Sequence, residues 1–115
     1  MAAMRILFVD DNDLVRRSLG RVLTRGGHDV VTCASADEAL FEIERGAPYE
    51  LMISDFDLGH ATSEALVSEV RERFPGTRVM LLTATPRQIL PAGIPFIVKP
   101  VAAAELLLAI EPEAA

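Results

Sequence analysis

Four short apolar runs in this 115-residue chain each end in a residue able to do chemistry, and amphipathic segments separate them. Ile6-Leu7-Phe8-Val9 runs into Asp10-Asp11, and Leu51-Met52-Ile53-Ser54 into Asp55. Val79-Met80-Leu81-Leu82 runs into Thr83, and Phe96-Ile97-Val98 into Lys99. Short runs without polar alternation fit strands buried on both faces. Val30 to Cys33 reads as a further strand of this kind, second in chain order.

The intervening segments carry helix signals. Asn12 or Asp13 can cap a first helix whose inner face holds Val15, Leu19, Val22 and Leu23, with Leu14 at its edge and Gly26-Gly27 as its stop. Ser35 and Glu38 have capping-box spacing and open a second helix, stopped by Gly46-Ala47-Pro48. A third helix is predicted from Ser63 to Phe74 and a last one from Val101 to Ile110. Pro86, Pro91, Pro95 and Gly93 leave room for at most one or two helical turns near Arg87-Gln88-Ile89-Leu90.

Strands that alternate with helices predict a doubly wound α/β fold, a five-stranded parallel sheet covered on both faces. Right-handed crossovers put all strand C-termini on one edge, where open α/β sheets bind ligands. Asp10, Asp11, Asp55, Thr83 and Lys99 all fall on that edge. Three carboxylates held together repel, and a hard divalent cation relieves the conflict. Lys99 is the only lysine beside ten arginines, and a compact ammonium makes a point contact with an anion where guanidinium makes a planar fork. The set reads as a site for a metal ion and a phosphoryl group.

The length predicts one domain over residues 1–115, and 50% apolar residues suffice for its core. A net charge of −6 weighs against direct binding to nucleic acid or an anionic membrane. The single cysteine, Cys33, allows no internal disulfide and reads as a buried strand thiol. With no secretory signal and no apolar run of membrane-spanning length, a cytoplasmic protein is expected. His28 and His60 read as solvated loop residues, and Arg17, Arg21 and Arg25 as an exposed stripe.

Phe8-Val9-Asp10-Asp11-Asn12, Ile53-Ser54-Asp55, Leu82-Thr83-Ala84 and Val98-Lys99-Pro100, in this order, resemble the motifs of the receiver domain of two-component response regulators. The resemblance covers nearly the whole chain. It implies sheet order 2-1-3-4-5 and a module that accepts a phosphoryl group from a phosphohistidine of a histidine kinase or histidine phosphotransfer domain. By resemblance, Asp55 is the acceptor. Asp11 is a direct ligand of Mg2+ (or Mn2+), Asp10 acts on the ion largely through water, and Asp57 offers its backbone carbonyl. Thr83 contacts the phosphoryl oxygen and Lys99 pairs with it. Phe96 is the aromatic switch, turning inward as Thr83 moves toward the phosphoryl group. Asp57 and Thr85 hold positions that tune phosphoryl lifetime, and Pro100 matches a proline that often follows a cis peptide bond.

The chain departs from the family pattern in two places. Gly59-His60-Ala61-Thr62-Ser63 replaces the usual proline and Asp-Gly pair after the acceptor, which predicts a more mobile loop. The Thr83–Lys99 span is short by about one and a half helical turns, so the fourth helix is expected to be stunted or absent, as in receivers attached to hybrid kinases. Two other classes compete. A receiver-like scaffold would keep the fold without phosphorylation. A haloacid-dehalogenase-like phosphatase would use Asp55-Phe56-Asp57 as its nucleophile motif, though its paired acids come late in the chain and here they come first.

Overall fold

The computed structural model describes residues 3–58, 61–84 and 90–111. Its main sheet holds β1 (Arg5–Val9), β2 (Asp29–Cys33), β3 (Leu51–Asp55), β6 (Arg78–Thr83) and β7 (Phe96–Val98), in the order β2-β1-β3-β6-β7. All four pairings are parallel, with Phe8 opposite Thr32 and Ile53, and Thr83 opposite Val98. Counting only these five strands, the order is the expected 2-1-3-4-5. The helices are α1 (Asp13–Arg25), α2 (Ala36–Arg45), α3 (Glu64–Arg73) and α4 (Ala103–Ala109).

The alternation of strand side chains splits the core into two layers. Leu7, Val9, Met52 and Leu81 pack under α2 and α3 with Ile43, Leu66 and Val70. Ile6, Phe8, Ile53, Met80 and Leu82 pack under α1 and α4 with Leu19, Leu23, Leu106 and Ile110. Burial of both faces explains why these strands read as unbroken apolar runs. Cys33 lies in the first layer, and burial pushes its thiol up to about 11, which leaves it inert at neutral pH.

The helix ends follow their cap chemistry. Asn12, not Asp13, caps α1, and its side chain accepts the Val15 N–H at 3.0 Å. Gly27 holds φ +95°, a conformation that disfavours any other residue. Ser35 Oγ accepts the Glu38 N–H at 3.2 Å while the Glu38 carboxylate reaches back to the Ala34 N–H at 2.7 Å. The last helix is shorter than its apolar pattern predicts. It starts after Ala102, which has no side chain to cap it.

Three readings need correction. His28 is buried rather than solvated, because its Nδ1 accepts the Met4 backbone N–H at 3.1 Å. Leu14 leaves the apolar face of α1 and is 76% exposed. The segment after Asp55 is more than an irregular loop: β4 (Asp57–Leu58) and β5 (Ala61–Thr62) pair antiparallel, and the Ser63 N–H donates to the Phe56 carbonyl at 2.7 Å. Among the described residues no helix lies between β6 and β7. His60, Thr85 and most of the expected short helical turn fall outside the described residues. Among the described residues no helix is long and apolar enough to cross a membrane.

Candidate functional site

Because β1, β3, β6 and β7 run parallel, their C-terminal ends gather Asp10, Asp55, Thr83 and Lys99 at one rim. Lys99 Nζ lies 3.2 Å from Asp10 Oδ2 and 3.3 Å from Asp55 Oδ2. One ammonium thus bridges carboxylates on two central strands. Its backbone is fixed too: the Lys99 N–H donates to the Thr83 carbonyl at 2.7 Å, and the Lys99–Pro100 peptide is cis, as the resemblance implied.

Asp10 is fully buried and held at its main chain and side chain alike. Its N–H donates to the Cys33 carbonyl at 3.0 Å, and Oδ1 accepts the Asn12 N–H at 2.9 Å. Its carbonyl accepts Arg16 Nη1 at 2.9 Å. Asp11 is exposed beside it. Neither aspartate caps α1, since Asn12 does. Asp10, Asp11 and Asp55 each offer a ligand atom, all within 4.8 Å of one another. Hard oxygen donors at this spacing, open to water through Asp11, fit a small divalent cation that keeps part of its hydration shell.

Electrostatics at the rim are unbalanced. Burial pushes the Asp55 carboxyl up to about 6; the Lys99 charge pulls the other way, and the Asp10 and Asp11 charges add to the rise. Burial alone would lower the Lys99 pKa, but Asp55 and Asp10 outweigh it and the net shift is upward. Lys99 therefore stays charged. Three carboxylates against one ammonium leave an excess of negative charge that a cation would offset.

Among the remaining expected residues, Thr83 is buried at the end of β6, level with the residue before Lys99. Asp57 is exposed at the start of the β4–β5 hairpin, two residues past Asp55. Phe96 is 50% exposed, on β7. Sequence reasoning missed Arg16, which differs from its neighbour Arg17 only in where its side chain is held.

The family model for the response regulator receiver domain matches residues 6–111. Response regulator protein FleR of Pseudomonas aeruginosa is 35% identical over 71% of this chain, which spans only 17% of that protein's length. A CheY-like receiver domain from Methanospirillum hungatei superposes with a TM-score of 0.84 at 28% identity, covering 95% of this chain and 91% of the other. Response regulator TrrA from Thermotoga maritima, solved in complex with Mg2+ and BeF, gives 0.82 at 28% identity over 93% and 96% of the two chains. The strand-end motifs, the sheet order and these likenesses agree: the chain is a member of the response regulator receiver domain family.

Proposed function

We propose that this receiver accepts a phosphoryl group on Asp55 from a phosphohistidine, in a reaction that depends on Mg2+ held by Asp11, Asp55, the Asp57 carbonyl and, through water, Asp10. The observation that carries this reading is the convergence of Asp10, Asp11 and Asp55 within 4.8 Å around a lysine that ion-pairs two of them. Bound there, the ion would supply positive charge to an oxygen of the incoming phosphoryl group and to the acceptor carboxylate.

This chain's own residues do the rest. An Asp55 carboxylate oxygen forms a bond to phosphorus, the phosphorus–nitrogen bond to the donor imidazole breaks, and the imidazole nitrogen keeps the electron pair. Such a transfer needs positioning and charge neutralisation more than covalent help. Lys99 Nζ leaves Asp55 and pairs with a phosphoryl oxygen. Thr83 donates its hydroxyl to another, and Phe96 turns inward into the space released. Asp57, two residues past the acceptor, and, by sequence position alone, Thr85 tune the lifetime of the product. Asp10 already accepts from Asn12 and Lys99, which supports a role on the ion through water. The physiological donor is a histidine kinase or a histidine phosphotransfer domain, and the module catalyses only its own phosphorylation and dephosphorylation.

The test is incubation with Mg2+ and a small-molecule phosphodonor, read by intact mass. Wild type gains one phosphoryl group, and Asp55→Asn and metal-free wild type do not. No gain in wild type would leave a receiver-like scaffold as the better description.

A further inference from the structure

We infer that Arg16 is a positioning residue for the cation site: its guanidinium grips both ends of the Asp10–Asp13 turn and so fixes Asp10 and Asp11 beside Asp55. This rests on the Mg2+-dependent reading above and assigns it a residue outside the carboxylates, Thr83 and Lys99.

The two arms of the guanidinium have different targets. Nη1 donates to the Asp10 carbonyl at 2.9 Å, and Nη2 bonds the Asp13 carboxylate. Asp11 and Asn12 lie between these anchors. The Arg16 main chain adds a third hold, donating its N–H to the Asn12 carbonyl at 2.9 Å. With the Asp10 N–H on Cys33 and the Asn12 N–H on Asp10 Oδ1, the turn bearing two proposed ligand positions is fixed from strand to helix.

Helix physics gives no reason for a cation here. Arg16 sits in the first turn of α1, where the helix dipole favours negative charge. Ordering a long side chain to 16% exposure also costs rotamer entropy. The exposed Arg17, one residue on, avoids that cost. The Asp13–Arg16 pair is an i,i+3 contact with a well-exposed acid, and such surface pairs contribute little. What sets Arg16 apart is its grip on the carbonyl of a buried ligand residue. Loss of a group that orients a metal ligand typically costs about 10–100-fold in metal affinity.

The sign of one measurement separates a clamp from a charge. As a bare positive charge near the site, Arg16 would repel Mg2+, and its removal would tighten binding. As a clamp, its removal loosens the ligand turn and weakens binding. A lysine keeps the charge but not the planar fork that spans Asp10 and Asp13.

Mg2+ binding by calorimetry to wild type, Arg16→Gln, Arg16→Lys and Arg17→Gln, with thermal unfolding in chelator to verify folding, tests this directly. Both Arg16 variants are expected to bind about tenfold more weakly, with Arg17→Gln within about twofold of wild type. Should Arg16→Gln not fold, Arg16→Lys carries the test. The inference is overturned if Arg16→Gln binds as tightly as wild type or tighter. Parallel shifts in Arg16→Gln and Arg17→Gln, or full affinity in Arg16→Lys, overturn it as well. Absence of Mg2+ binding by wild type defeats the underlying reading, and this inference with it, by a different result.

Discussion

At the N-terminal rim of the sheet His28, Thr77 and Arg78 each meet a polar partner, whereas at the C-terminal rim one ammonium pairs with two carboxylates and a third lies beside them. At the first rim His28 accepts from Met4, Thr77 Oγ1 donates to the Tyr49 carbonyl at 2.6 Å, and Arg78 donates to the Ile110 carbonyl at 2.8 Å. Arg5 lies 4.4 Å above the Tyr49 ring and pairs with Asp29 at 3.1 Å. At the second rim, burial and crowding lift Asp55 to about 6. One end of the sheet is arranged so that folding satisfies it. The other stays under electrostatic stress that folding alone does not relieve, which is how functional sites differ from structural networks.

Substitutions at each rim can break that contrast. The largest effect is expected from Lys99→Met. It should slow phosphoryl acceptance by about a hundredfold or more, as loss of one preorganised charge at a transition state does. Its stability cost should stay below about 3 kcal/mol, because Asp55 can take up a proton. A stability loss with unchanged phosphorylation would move Lys99 into the structural class. Next comes Thr77→Val, which leaves the Tyr49 carbonyl without its buried donor. Urea unfolding should show a loss of about 1–3 kcal/mol while Mg2+ affinity stays at the wild-type value. A change in that affinity would couple the two rims.

The smallest effect has the opposite sign. A carboxyl whose folded pKa is raised from 3.8 to about 6 binds its proton more tightly when native. Its stabilising contribution is complete below pH 3.8 and is lost as pH rises through 6. Asp55→Asn should therefore be more stable than wild type at pH 7.5 in chelator, by about 1–2 kcal/mol after screening by water at the open rim. The advantage should vanish near pH 4 and shrink at pH 7.5 when Mg2+ is added. An Asp55→Asn variant less stable than wild type at pH 7.5 would show that the rim is not under stress.

The same contrast explains what could be read in advance. The five strands, their parallel pairing and the convergence of Asp10, Asp11, Asp55 and Lys99 followed from apolar runs and their terminal residues, while the strand order came from the family resemblance. Burial on both faces writes itself into composition, and topology then fixes which ends meet. The Ser35–Glu38 cap was legible because its partners are three residues apart. The misses depend on remote contacts. His28 is buried by a backbone N–H 24 positions away, and Tyr49 by Arg5 and Thr77 from other segments. The β4–β5 hairpin has strands of two residues, too short for any period to show. Arg16 and Arg17 are the same residue type side by side, and only the fold tells the anchored one from the solvated one.

Lys99 also has a mechanical consequence. One of the two edge strands, β7, is three residues long, and Lys99 follows it directly. The Nζ bonds to Asp10 and Asp55 therefore moor the periphery of the sheet to its middle with a single head group. An anion that captured that head group would change the mooring, and Phe96 lies half in solvent on the same strand. On the proposed function, a change of charge at the centre would be felt at the margin within four residues of chain, without any long relay through the core.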